Sequence, residues 1–331
     1  MSDRGALLHY ARPLTALLGR PDIAEICINR PGEVWLEAAQ GWVRVASEWA
    51  TFEWAAHFAR LVATASQQRI SSEHPLLSAA LPDGARVQVV LPPATERDTV
   101  AIAIRRNRCV GSSLADLIGD GLSADCRRAG ETPCPQAVLA AAYAAGDWLR
   151  FLGEAVRTRQ NVLVSGATGS GKTTLTRALI GEIDASERLV TIEDTPELEV
   201  PAGRNTVQLY YSKDGQGLSR LTPRHLLEAC LRLRPERILL AELRGDEAYQ
   251  YLRAVNSGHP GSITSIHASS CRLAFEQLAL LVRESESGRD MPRADVHALL
   301  RQVIDVIVHC ERRAGRRVIG EIWWRGAAAT A

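Results

Sequence analysis

Lysine is nearly missing from this chain. Of 39 basic residues only Lys172 and Lys213 are lysine, so 39 less two leaves 37 arginines. Aromatic residues are also scarce, at 5%, and the formal net charge is only +1. A basic groove lined with stacking rings, the usual mark of single-strand nucleic-acid binding, is therefore not indicated. The cysteines (Cys27, Cys109, Cys126, Cys134, Cys230, Cys271 and Cys310) are scattered, odd in number and never spaced C-x-x-C. That excludes a disulfide framework or a zinc site as the organising device and points to reduced, cytoplasmic thiols. No uninterrupted apolar run approaches the roughly 18 residues that suggest a spanning helix. The short Ala6-Leu7-Leu8 run, flanked by Asp3, Arg4 and Arg12, makes a poor signal peptide. A soluble protein is expected, one that can still sit on a membrane surface. At 331 residues with 46% apolar content, two domains with ordinary cores are the natural expectation.

What the chain does contain is Gly166-Ala167-Thr168-Gly169-Ser170-Gly171-Lys172-Thr173-Thr174, which fits the phosphate-binding pattern G-x-x-x-x-G-K-[ST]. Asn161 to Ser165 before it reads as a short buried strand. Thr174 to Ile183 after it reads as a helix, with Leu175, Ala178, Leu179 and Ile183 on one face. Strand, glycine loop and helix form the context that the motif requires. Glycines let backbone N–H groups curl around a phosphate, and the helix N-terminus adds the positive end of a dipole. Lys172 is placed to reach the β- and γ-phosphates, and the Thr173 hydroxyl to ligate Mg²⁺. A chain that otherwise writes positive charge as arginine keeps lysine here, where a compact ammonium fits and a planar guanidinium does not.

Upstream, residues 6–19 read as an amphipathic helix and 24–29 as a strand. Residues 33–38 and 41–45 read as a hairpin, and 51–66 as a helix. Strands follow at 76–80, 85–91 and 99–105. This mixture predicts a small α+β domain over 1–120. Residues 111–135 are punctuated by Gly, Ser, Asp and Pro, and 125–133 lack apolar periodicity, which places a linker over 121–135. Residues 136–156 read as one helix feeding the loop strand. Strands at 188–192, 206–209 and 237–240 then alternate with helices near 223–233, 246–256, 272–283 and 293–304. The pattern predicts an α/β domain over 136–331, a parallel sheet with helices on both faces. Residues 327–331 read as a frayed tail.

Hydrolysis also needs carboxylates. Residues 188–192 run into Glu193 and Asp194, and residues 238–241 into Glu242. In a parallel sheet the strand C-termini and the glycine loop share one edge, so these acids would face a nucleotide. His259 and His267 lie in a Gly- and Pro-rich stretch ending in a short β-like run. That run would set His267 at a strand end, where an imidazole can donate to a γ-phosphate oxygen. Guanine-specific switches use N-K-x-D, and neither lysine builds it: Lys213 is followed by Asp214 and Gly215. ATP is the expected nucleotide.

Four blocks together carry a resemblance. They are the glycine loop, residues 191–198 (TIEDTPEL), residues 234–248 (RPERILLAELRGDEA) and residues 258–268 (GHPGSITSIHA). They resemble the Walker A, Asp box, Walker B and His box of the secretion ATPase superfamily, which drives type II secretion, type IV pili and type IV secretion. Residues 28–35, 74–84 and 88–94 are similar to its type IV secretion and conjugation branch, and the likeness runs from about residue 20 to about 325. The tetracysteine zinc element of many type II secretion members is absent.

The resemblance implies a RecA-like P-loop ATPase domain behind a smaller α+β domain, assembled as a homohexameric ring with ATP and Mg²⁺ bound between domains. It implies that residues 166–174 hold the phosphates, that Thr173 and Glu242 serve the metal, and that Lys172 holds phosphate. Glu193 would orient the attacking water, Glu242 support metal and water, and His267 sense the γ-phosphate. Arg105 would contact phosphate from across a domain interface, although residues 101–104 (AIAI) depart from the wording common there. It further implies inner-membrane components and other ATPases of a type IV secretion machine as partners, at the cytoplasmic face of the bacterial inner membrane. Two other readings stay open: a RecA-like DNA-binding motor, and an ATP-binding assembly protein of low turnover.

Overall fold

The computed structural model describes residues 3–106, 113–119, 121, 123–124, 126, 135–213 and 216–329. Its first half is built on helices α1 (Asp3–Tyr10), α2 (Arg12–Leu18) and α3 (Phe52–Ala65) and strands β1 (Glu25–Ile28), β2 (Glu33–Ala38), β3 (Gly41–Ala46), β4 (Leu76–Ala80), β5 (Arg86–Val90) and β6 (Ala101–Arg105). The strands form one antiparallel sheet in the order β3-β2-β1-β6-β5-β4. Helix α3 starts where Thr51 accepts a hydrogen bond from the Trp54 amide. Its Ala55, Phe58, Ala59 and Val62, three and four residues apart, are buried against the sheet. The single helix expected over 6–19 is two helices. Pro13 cannot continue a helix from the preceding turn, but it suits the first turn of a new one, and Ala11 marks the join.

The second half carries α4 (Leu114–Gly119), α5 (Pro135–Ala145), α6 (Trp148–Arg157), β7 (Val162–Gly166), α7 (Lys172–Gly181), β8 (Leu189–Glu193) and β9 (Thr206–Tyr210). There follow α8 (Pro223–Cys230), β10 (Arg237–Leu240), α9 (Glu247–Asn256), β11 (Ile263–Ile266), α10 (Cys271–Glu284), α11 (Arg293–Val303), β12 (Val306–Arg313) and β13 (Arg316–Trp324). The sheet order is β13-β12-β7-β11-β10-β8-β9, parallel throughout except where β13 returns antiparallel along β12. The expected parallel sheet is present.

Two further expectations need correction, and one element is new. The helix expected over 136–156 is broken by Gly146, at φ +67°, and by Asp147, whose carboxylate accepts the Arg150 amide at 3.2 Å and starts α6. The hairpin of β12 and β13 was not anticipated. The expected tail instead continues into a 3₁₀ turn over Arg325–Ala329, with Ala327 packed on the core; Thr330 and Ala331 lie outside the described residues. Most of the linker expected over 121–135 lies outside the described residues too, as do Cys109 and Cys134. The other five cysteines are free thiols.

The two sheets share a core. Cys27, Trp35, Val90 and Ala103 from the first pack into the same buried cluster as Val207, Leu226 and Cys230 from the second. No helix among the described residues is long and apolar enough to cross a membrane.

Candidate functional site

Strand β7 is wholly buried between β11 and β12, and its last residue opens the glycine loop. Gly166 has φ +153°, and a Cβ there would sit 2.3 Å from the Cys310 carbonyl oxygen on β12 and 2.5 Å from Ser170 Oγ. Only glycine lets the loop leave the sheet so close to its neighbour. Gly169 (φ +74°) and Gly171 (φ +103°) keep the chain curled, and Gly171 caps α7. The helix starts at Lys172, two residues ahead of the expected start, so its first free N–H groups point into the loop.

Within that curl the Lys172 ammonium donates to the carbonyls of Gly166 at 2.9 Å and Ala167 at 3.3 Å. Burial lowers its pKa from the ordinary lysine value, while the Glu242 charge opposes the shift. His267, one residue past β11, brings Nδ1 to 3.4 Å from Lys172 Nζ. Its Nε2 lies 2.7 Å from Glu242 Oε1, an ion-pair distance. The other Glu242 oxygen pairs with Arg244. Arg244 also reaches Asp194 at 2.9 Å, and Lys213 pairs with the same Asp194 oxygen. Burial pushes the Asp194 carboxyl up, but the Lys213 hydrogen bond and the Arg244 charge outweigh it and hold the group low. Thr173 Oγ1 donates to Glu197 Oε2 at 3.3 Å.

These side chains, Lys213 apart, wall a cavity of about 210 Å³, with Thr168, Gly169 and Thr173 on the loop side and Glu242 and His267 opposite. Lys172, Thr173, Glu242 and His267, named from sequence, therefore do converge. Ser170 Oγ is buried with no hydrogen-bond partner, and Thr174 is exposed on the first turn of α7. The cradle of inward amides, an ammonium and an unpaired hydroxyl fits a polyphosphate. No group of three or more His, Cys, Asp or Glu among the described residues is spaced to hold a metal alone. A Mg²⁺ here would draw on Thr173, one carboxylate and phosphate oxygens, which is its usual habit.

Three sequence-named residues, Glu193, Arg105 and His259, lie elsewhere. Glu193 is fully buried and does not wall the cavity. One of its oxygens accepts the Glu197 and Leu198 amides, both at 2.7 Å, and the other accepts Thr191 Oγ1 at 2.8 Å. Burial raises its pKa against the pull of those hydrogen bonds. Arg105, at the end of β6, lines a separate cavity of about 320 Å³ with Glu25, Arg86 and Arg232. His259 is bound to the Pro235 carbonyl at 2.9 Å and plays no part in the cavity. Glu197 and Arg244 were not singled out from sequence. Both fall inside the quoted blocks, and an acid four residues after a strand-end acid was the available signal for Glu197.

Over residues 9–322 the sequence matches the family described as type II/IV secretion system protein. The chain belongs to that family. It is 45% identical over 330 residues to type IV secretion system protein VirB11 of Bartonella quintana, covering 96% of this chain and 92% of that one. It is 42% identical over 328 residues to type IV secretion system protein PtlH of Bordetella pertussis, covering 98% and 96%. The crystal structure of the VirB11 ATPase from the Brucella suis type IV secretion system, in complex with sulphate, superposes with a TM-score of 0.93 at 40% identity, covering 99% of this chain and 98% of that one. The chain is thus a traffic ATPase of the type II/IV secretion family, with the RecA-like P-loop fold expected from its motifs.

Proposed function

We propose that this protein is a homohexameric ring ATPase that hydrolyses ATP to ADP and phosphate to power type IV secretion, in pilus biogenesis and substrate transfer. The observation that carries the reading is the convergence of Lys172, Glu242 and His267 on one glycine loop, all within hydrogen-bond or ion-pair reach. Lys172 leaves its two loop carbonyls for β- and γ-phosphate oxygens. His267 donates to the γ-phosphate, and its loss on hydrolysis releases the Glu242–His267–Lys172 chain. Thr173 and Glu242 would hold Mg²⁺, which would neutralise phosphate charge. Residues 166–174 supply amides, and Glu193 orients the attacking water once its hold on the Glu197 and Leu198 amides relaxes.

Arg105 reaches phosphate from the next subunit. It lies off its own loop cavity, in the separate cavity that it shares with Glu25, its partner across β1. The ring works at the cytoplasmic face of the inner membrane, with inner-membrane components and the machine's other ATPases as partners. The first domain spans residues 1–120, a linker 121–135 and the ATPase domain 136–331.

Steady-state Mg²⁺-ATP hydrolysis by wild type beside Lys172→Ala tests the core of this. Wild type turns over and the variant falls by at least about a hundredfold. A wild type that binds ATP yet stays silent overturns autonomous hydrolysis in favour of an assembly role. Mixing Lys172→Ala with Arg105→Ala subunits tests the ring. Of the two orders of mixed interface, the one in which the Arg105→Ala subunit supplies the loop and the Lys172→Ala subunit supplies the arginine is intact, so part of the activity returns; no recovery removes the contact between subunits.

A further inference from the structure

The turn between β12 and β13 concentrates positive charge that the ATPase reading leaves unused. Arg312, Arg313, Arg316 and Arg317 are all exposed, and they sit directly across from one another as 312 with 317 and 313 with 316. Arg313 has Glu311 at 2.6 Å; none of the other three has an ion-pair partner among the described residues. Like charges directly opposite on a hairpin are unfavourable, so the sequence tolerates a cost here.

Position decides what the cost supports. Strand β12 pairs with β7 so that Cys310 lies beside Gly166, which stands the hairpin against one flank of the glycine loop. Glu242 and His267 follow β10 and β11, on the other flank. The aliphatic stem of Arg317 lies over Gly171: from the position of a Cβ there, Arg317 Cδ is 3.2 Å away and its Cβ and Cγ 3.7 Å. Arg317 takes no part in the cavity shared by Lys172 and His267. A nucleotide whose γ-phosphate faces His267 must run its nucleoside end toward the opposite flank, over this hairpin.

We propose that Arg317 is a nucleotide-binding residue that stacks its guanidinium on the purine of the bound nucleotide. The inference rests on the P-loop reading above. A guanidinium is planar and weakly hydrated, so it can lie flat on a π-face where an ammonium cannot. Its stem is already supported by the backbone of the loop, so less freedom is lost on stacking. The charge of Arg312, directly across from Arg317 and so on the same face of the hairpin, adds an attractive field for the phosphate next to the nucleoside.

Inorganic tripolyphosphate separates the nucleoside end from the phosphate end. Calorimetric titration of full-length wild type, Arg317→Ala and Arg317→Lys with Mg²⁺-ATP and with Mg²⁺-tripolyphosphate is the test. In Arg317→Ala, ATP affinity falls about five- to tenfold while tripolyphosphate affinity is unchanged. Arg317→Lys behaves like the alanine variant, because charge returns without the plane. Equal ATP affinity in wild type and Arg317→Ala overturns the inference alone. So does a parallel loss for both ligands, which would mean a phosphate contact or a disturbed loop, and so does full recovery with lysine. A wild type that binds neither ligand overturns the P-loop reading together with it. Arg317 is exposed, so the melting temperature of each variant stays at the wild-type value and serves as the folding control.

Discussion

Glu193 shows what a motif can and cannot say about one residue. Its place at the end of a strand was legible, because an apolar run ending in an acid marks a strand C-terminus. Its burial was not, because the two amides that hold it come from residues four and five positions on. Glu193→Gln keeps the size and one acceptor oxygen but removes the charge that orients water. It should retain ATP binding and lose turnover by about a hundredfold or more, measured by single-turnover kinetics; unchanged turnover would remove Glu193 from the chemistry. Glu25 makes a different prediction. It is 3% exposed, and burial, helped by Glu37, raises its pKa from 4.5 to about 7 against the pull of Arg188, Arg105 and Arg234. A raised folded pKa means stability is fully present below about pH 4.5 and is lost as pH rises toward 7. The loss is on the order of 3 kcal/mol. Denaturant melts of Glu25→Gln should be flatter over that window than those of wild type. An identical slope in both proteins would assign the pH dependence to other groups.

At the scale of elements, helices with recognisable caps were readable and a hairpin without its usual turn was not. Thr51 before α3 is an ordinary capping residue, and the helix lies where periodicity put it. The β12–β13 connection is a two-residue turn in which Ala314 (φ +47°) and Gly315 (φ +79°) both occupy the left-handed region. Such turns usually announce themselves as Asn-Gly. Alanine at the first position hides the signal and carries the steric cost of its Cβ. Ala314→Asn or Ala314→Gly should therefore stabilise the protein by about 0.5–1 kcal/mol, read as a shift in the denaturant midpoint at constant slope. A neutral or destabilising result would mean that the strain is relieved elsewhere. The break between α5 and α6 is hidden in the sequence for a related reason. Gly146 lies in a run rich in alanine, and one glycine in such a run does not by itself end a helix. What ends it is the positive φ at Gly146 combined with the Asp147 cap, a pairing visible only once both conformations are known.

The whole molecule depends on how the first sheet is fixed to the second, and that seam was invisible in sequence. Arg188 is fully buried at the foot of β8, where an arginine would ordinarily be read as a solvated strand end. It donates to Asn29 Oδ1 at 2.8 Å in the first half and to the Leu233 carbonyl at 2.8 Å in the second, and it pairs with Asn205 as well. Asn29 and Asn205 bond each other at 2.8 Å, and the guanidinium lies 5.4 Å from the Trp42 ring centre. One cation thus satisfies buried acceptors from both sheets, and no run of neighbouring residues reports a network whose bonded pairs include Asn29 and Asn205, 176 positions apart. Asn29 follows β1, and β1 pairs with β6, the strand that ends in Arg105. Arg188→Ala leaves both asparagines short of a partner inside the seam. A loss of about 3–5 kcal/mol is expected, because removing one member of a buried charged network strands the others. The exposed Arg232→Ala, near the same seam, should stay within about 0.5 kcal/mol of wild type. Denaturant unfolding followed by tryptophan fluorescence distinguishes the cases. If Arg188 couples the sheets, its loss splits a single transition into two, with the weaker step reporting the first sheet. A single transition shifted by less than about 1 kcal/mol would mean that the shared apolar cluster alone joins the halves.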